Sequence, residues 1–91
     1  MILNRVNPMG LTFQLLPQGR ETTTVVLIGK SNKKITVNAS IEDMSQWWYN
    51  WQMKGQNIQV AFASLNAEER EFLMTGITPS EWKEIFKDGE D

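Results

Sequence analysis

Apolar and polar positions alternate along the first part of the chain and then change period. In Leu11-Thr12-Phe13-Gln14-Leu15 every second residue is apolar, the period of a half-buried strand. Pro17-Gln18-Gly19 supplies turn residues, so this strand is expected to end there. Residues 22–28 are almost wholly β-branched, which suits a pleated surface and disfavours a helix. After the polar turn Gly29-Lys30-Ser31-Asn32-Lys33, alternation returns in Lys34-Ile35-Thr36-Val37-Asn38. Three such runs with short links predict an antiparallel meander over residues 10–38. Leu11, Phe13, Val25, Leu27, Ile35 and Val37 are its candidate core positions, although both faces of residues 22–28 are apolar enough to be the buried one.

From Ser40 the period becomes helical. Ser40 is an N-cap candidate with Asp43 at the third helical position. Met44, Trp47, Trp48 and Trp51 follow at i, i+3, i+4 and i+7 on one face, and Lys54-Gly55 marks the stop. This Trp-rich helix, residues 40–54, is expected to lie on the sheet, because a bare three-stranded sheet is marginal. Residues 58–62 fit a strand (Ile58, Val60, Phe62) or a helical stripe (Ile58, Ala61, Phe62, Leu65). Gly55 behind them and Asn57 as a cap favour a short helix. Asn66 and Glu69 then form an N-x-x-E capping box, and Gly76 supplies a left-handed stop. Thr78-Pro79-Ser80-Glu81 reads as N-cap, N1 proline and N3 glutamate, with Ile77 and Trp82 as a hydrophobic staple. Residues 57–87 are therefore read as short helices and 88–91 as an acidic tail. The expected class is α+β: a three-stranded antiparallel β-meander followed by three to four short α-helices, one packed on the sheet, in a single domain spanning residues 1–91.

Composition narrows the chemistry. A chain of 91 residues buries only ~60% of its unfolded surface, so its four Trp and four Phe must build the core or be shared with a partner. There is no Cys and no His, which removes disulfides, thiolate metal sites and the commonest general base. No apolar run approaches the ~20 residues of a membrane span, and the N-terminus lacks a signal peptide's apolar stretch. The expected location is the cytoplasm, with no membrane partner and no cofactor or metal.

Charge is unevenly placed. Residues 1–40 carry five cations against one acid, a net of +4, whereas residues 66–91 carry three cations against eight acids, a net of −5. This split reads either as a solvated surface or as a dipolar molecule offering an acidic face to a basic partner. Gly29-Lys30-Ser31 resembles the end of a phosphate-binding loop, but the motif's earlier glycine is replaced by Thr24 and a strand follows where a helix is needed. The acids Glu42, Asp43, Glu68, Glu69 and Glu71 sit at helix starts, where capping and dipole effects explain them better than acid/base catalysis. An enzyme is not expected. Arg70 is expected to bond to carbonyls or a neighbouring acid.

Residues 55–82 also carry a resemblance. Gly55-x-x-Ile58-Gln59-x-Ala61-Phe62, then Leu65 and Glu69-Arg70-Glu71-Phe72-Leu73-Met74-Thr75-Gly76-Ile77-Thr78-Pro79-x-Glu81-Trp82, resembles a recurrent C-terminal pattern of small uncharacterised bacteriophage proteins. It covers about a third of the chain, and Ala63 stands where the pattern carries Pro. The resemblance implies a viral protein working in the host cytoplasm and brings no activity or site residue with it. It points to contact with a host or phage protein.

Two surfaces follow as candidates. Adjacent helical residues diverge by ~100°, so Trp47, Trp48, Tyr49 and Trp51 cannot all face the sheet; Trp48 or Tyr49 should be exposed as an interface anchor. With them go the acids Glu68, Glu71, Glu81 and Glu84 as a protein-binding face, or self-association into a homo-oligomer through the aromatics. The alternative is nucleic-acid binding by Lys30, Lys33 and Lys34 at one hairpin tip, with Arg20 at a neighbouring turn. A helix-turn-helix over residues 66–86 is disfavoured, because its second helix is net neutral and runs into acids, and the sequence pI is about 5.1.

Overall fold

A computed structural model describes residues 2–29 and 33–89, with side chains over residues 2–29 and 33–84. Four strands, β1 (Leu3–Val6), β2 (Thr12–Gly19), β3 (Thr22–Leu27) and β4 (Lys34–Val37), precede four helices, α1 (Ile41–Gln52), α2 (Ile58–Ala61), α3 (Ala67–Thr75) and α4 (Pro79–Gly89). The class is α+β, with the strands in one antiparallel sheet of order β1-β2-β3-β4.

The sheet has one strand more than the expected meander. β1 was hidden because Leu-Asn-Arg-Val puts one apolar residue on each face and shows no period of two. It is held by register: Leu3 lies opposite Leu15 and Arg5 opposite Phe13. β2 also runs past its expected end, through Pro17. Ile28 N–H donates to Thr12 C=O, so the even residues of β2 bond to β3 and its odd residues point toward β1. The missing N–H of Pro17 therefore faces the side beyond the end of β1, where the ladder does not need it.

Register also decides which face of β3 is buried. Phe13, Leu15, Thr23, Val25, Leu27, Ile35 and Val37 share one face across β2, β3 and β4. Thr23 is fully buried there and donates its hydroxyl to Ala39 C=O at 2.8 Å. Onto this face α1 sets Ile41, Met44, Trp48 and Trp51. Trp48 is the centre of the aromatic packing, with ring centroids 5.6 Å from Phe13, 5.3 Å from Trp51 and 5.9 Å from Phe62. Its indole N–H donates to Val6 C=O at 3.1 Å. Trp48 is 2% exposed, so it is not the surface anchor its spacing allowed; Tyr49, one residue on, is 51% exposed. The core stripe of α1 passes through position 48, which leaves Trp47 half-buried against Phe62.

The local helix signals are realised. Ser40 caps α1 through Asp43 N–H, and Asn57 caps α2, making residues 58–61 one helical turn. Asn66 and Glu69 bond reciprocally as a capping box. Gly76 closes α3 at φ +79°, which favours glycine, and a Cβ there would lie 2.7 Å from Leu27 Cδ2 and displace that buried side chain. The covered face extends to α3 through Phe72, 5.6 Å from Phe13.

Candidate functional site

The acidic residues do not form one equivalent set. Glu69 is engaged in its capping box. Glu71 accepts from the Thr75 hydroxyl at 2.9 Å on the half-buried side of α3. Glu68 and Glu84 are exposed. Between α3 and α4 lies an open groove of about 360 Å³, lined by Ala67, Glu68, Glu71, Trp82 and Lys83. Its wall is the Trp82 ring and the Ala67 methyl, and its rim carries two carboxylates and one ammonium. Arg70 lies outside this rim, donating to Leu65 C=O at 2.8 Å as expected for a structural arginine.

Glu81 is engaged differently. One carboxylate oxygen accepts Thr78 N–H at 2.8 Å, and the other lies 3.0 Å from Lys33 Nζ. Thr78 Oγ1 in turn accepts Glu81 N–H at 3.2 Å, completing the cap of α4. The Thr78 N–H and then the Lys33 ammonium hold the Glu81 carboxyl below the ordinary glutamate range. A depressed carboxyl stabilises the fold above its unfolded value of about 4.3 and loses that contribution as pH falls through its folded value. We therefore expect Glu81→Gln to lower stability at neutral pH and the gap from the parent protein to close below about pH 4. Urea titrations at stepped pH measure this, and a pH-independent gap would remove the ion pair as its cause.

The same pair engages one member of the basic cluster. Lys33, placed on a nucleic-acid surface by sequence, is tied to the first turn of α4. Lys34 is exposed on β4, and Lys30 lies outside the described residues. Arg20 sits in the β2–β3 turn, the next turn along the chain but at the opposite end of β3 from Lys33. β3 has six residues, so about 20 Å separates the two ends.

Tyr49 belongs to a second groove, between the free edge of β1 and α1. Its two sections, of about 470 and 400 Å³, share Arg5, Ser45 and Tyr49. Arg5 donates to Asn4 C=O at 2.8 Å and to Ser45 Oγ at 3.2 Å. Sequence reasoning passed over Arg5, since its role depends on pairing with Phe13 across a strand that carries no periodic signal.

Among the described residues no three acids lie close enough together to hold a metal ion, and no helix is long and apolar enough to cross a membrane. No family model, curated protein or solved structure matches the chain.

Proposed function

We propose that this protein is a non-enzymatic accessory module that works by protein–protein contact, binding a basic segment of its partner in the α3–α4 groove. The observation that carries this reading is the pairing of an apolar wall, Trp82 and Ala67, with a rim of Glu68 and Glu71. An apolar side chain of the partner would sit against the Trp82 ring while flanking Lys or Arg side chains meet the carboxylates. Glu84, exposed one turn along α4, extends the same sign of charge. Glu81 is left out of the contact, because Lys33 and Thr78 already hold it. The phage-like pattern over residues 55–82 overlaps this groove, and a small phage protein occupying a basic face of a host protein is the biological setting we infer from it.

The test is capture of partners from nuclease-treated bacterial lysate, followed by affinity measurement on the purified partner. Changing Glu68, Glu71 and Glu84 together to Gln should weaken binding at least tenfold, about 1.4 kcal/mol, with the difference shrinking as salt rises. Unchanged affinity would sink the proposal. Capture of material from untreated lysate only, abolished by nuclease and lost on changing Arg20 and Lys34 to Ala, would transfer the function to nucleic acid. A stable homo-oligomer without a partner would transfer it to self-assembly.

A further inference from the structure

The groove beside β1 shares no residue with the α3–α4 groove, and its Gln52 section, unlike the section that holds Glu42, is lined by the Arg5 cation and by no carboxylate. Asn7 N–H donates to Leu11 C=O, which fixes the alternation along β1: Arg5 and Leu3 bond to β2, whereas Asn4 and Val6 turn their backbone groups to the open edge. Both outward carbonyls are occupied, Asn4 C=O by the Arg5 guanidinium and Val6 C=O by the Trp48 indole. Both outward N–H groups lack an acceptor among the described residues, and they recur at the strand repeat of about 7 Å. The Arg5 guanidinium has further N–H donors beyond the two it uses. Gln52, on the groove wall, has an amide nitrogen that is buried without an acceptor. The Gln52 section therefore offers a ligand the Arg5 guanidinium and N–H donors and sets no carboxylate against it.

We infer that the Gln52 end of this groove binds the carboxylate-bearing C-terminal residue of an extended peptide, which adds to the free edge of β1. A carboxylate is acceptor-only and matches the Arg5 fork. The peptide's backbone carbonyls accept from the Val6 and Asn4 N–H groups, and Arg5 leaves the Asn4 carbonyl for the carboxylate, which opens that carbonyl to a peptide N–H as in strand addition to a sheet edge. Gln52 reaches the ligand by rotating its terminal amide, a soft torsion. Tyr49 and Met53, 51% and 72% exposed, give the terminal side chain an apolar seat. Glu42 lines only the other section of the groove and repels a carboxylate there, which sets the direction of the bound strand. The binding section, at about 400 Å³, is the size of a pocket for one or two residues.

The probe is fluorescein-labelled Gly-Ser-Thr-Val-Leu with a free C-terminus, read by fluorescence polarisation beside the same peptide as its C-terminal amide. Saturable binding of the acid, at least tenfold weaker for the amide and at least tenfold weaker for Arg5→Gln, is the expected result. Gln52→Met separates binding from folding: it should weaken the peptide and raise the Tm, because it removes a buried donor that the free protein leaves unpaired. Equal binding of acid and amide, or no binding of either, overturns the inference. Competition by N-acetyl-leucine as strong as by the pentapeptide overturns the strand addition. A lower Tm for Gln52→Met overturns the role given to its amide.

Discussion

Trp48→Ala should lose about 4–5 kcal/mol of folding stability, a third or more of the roughly 5–14 kcal/mol expected for a chain of this length. The residue is 2% exposed and its ring meets Phe13, Trp51 and Phe62, so truncation opens a cavity that three aromatic neighbours cannot close by small shifts. It also removes the indole N–H that the Val6 carbonyl accepts at 3.1 Å. Urea unfolding followed by circular dichroism measures the loss. Trp48→Phe separates the two contributions: it keeps most of the packing and gives up the hydrogen bond, and should cost about 1–3 kcal/mol. Tyr49→Ala, one position away on the exposed side of α1, should stay within about 0.5 kcal/mol. A loss below about 2 kcal/mol for Trp48→Ala would mean that α1 is not seated on the sheet through this ring.

Asn7→Asp should cost about 3–5 kcal/mol, although it exchanges one amide group for an oxygen of nearly the same size. Asn7 is 4% exposed and every polar group of its side chain is used. Its Nδ2 donates to Leu73 C=O and Met74 C=O, each at 2.9 Å. Its Oδ1 accepts from Met9 N–H and Leu11 N–H, also at 2.9 Å. One side chain thus shapes the β1–β2 turn and satisfies two carbonyls in the last turn of α3, groups with no partner inside their own helix. Aspartate would place an anionic oxygen against those two carbonyls, at the negative end of a helix dipole. We expect Asn7→Asp to be worse than Asn7→Ala at neutral pH. Part of the loss should return on acidification, when the introduced carboxyl is protonated and its O–H can donate to one of the two carbonyls. Thermal unfolding of both variants across pH decides the matter; equal stability of the Asp and Ala variants would show that the α3 carbonyls find water instead.

How much of this molecule could be read beforehand depends on the range of the interaction involved. The caps of α1, α2 and α3 and the Thr78–Glu81 start of α4 join residues three apart, so sequence displays them directly. β2, β3 and β4 announce themselves by alternation and β-branching, which are also local. β1 does not, because four residues with one apolar side chain on each face become a strand only when β2 offers its odd-numbered backbone groups. The extension of β2 through Pro17 has the same origin, since a proline is tolerated wherever the pairing leaves its nitrogen unneeded.

The candidate sites divide along the same line. The exposed aromatic on α1 was narrowed to Trp48 or Tyr49 by helical geometry, and only docking on the sheet, which centres the core stripe on position 48, separated them. Glu68, Glu71 and Glu84 were visible as acids, but the wall formed by Trp82 required α4 to lie beside α3. Glu81 and Lys33, 48 residues apart in the chain, were assigned to rival surfaces and prove to be each other's partners. Arg5, Asn7 and Gln52 carry no motif at all; their roles come from a strand edge, a helix end and a groove wall that adjoin only after folding. By itself the sequence determined the α+β class, the capped helix starts and the segregation of charge, because periodicity and capping act within a few residues; the ends of α1 and α4 fell at Gln52 and Gly89 rather than at 54 and 87. Tertiary structure alone decided the sheet's fourth strand, the buried tryptophan and which charged groups remain available, because register and side-chain satisfaction are set between segments far apart in the chain.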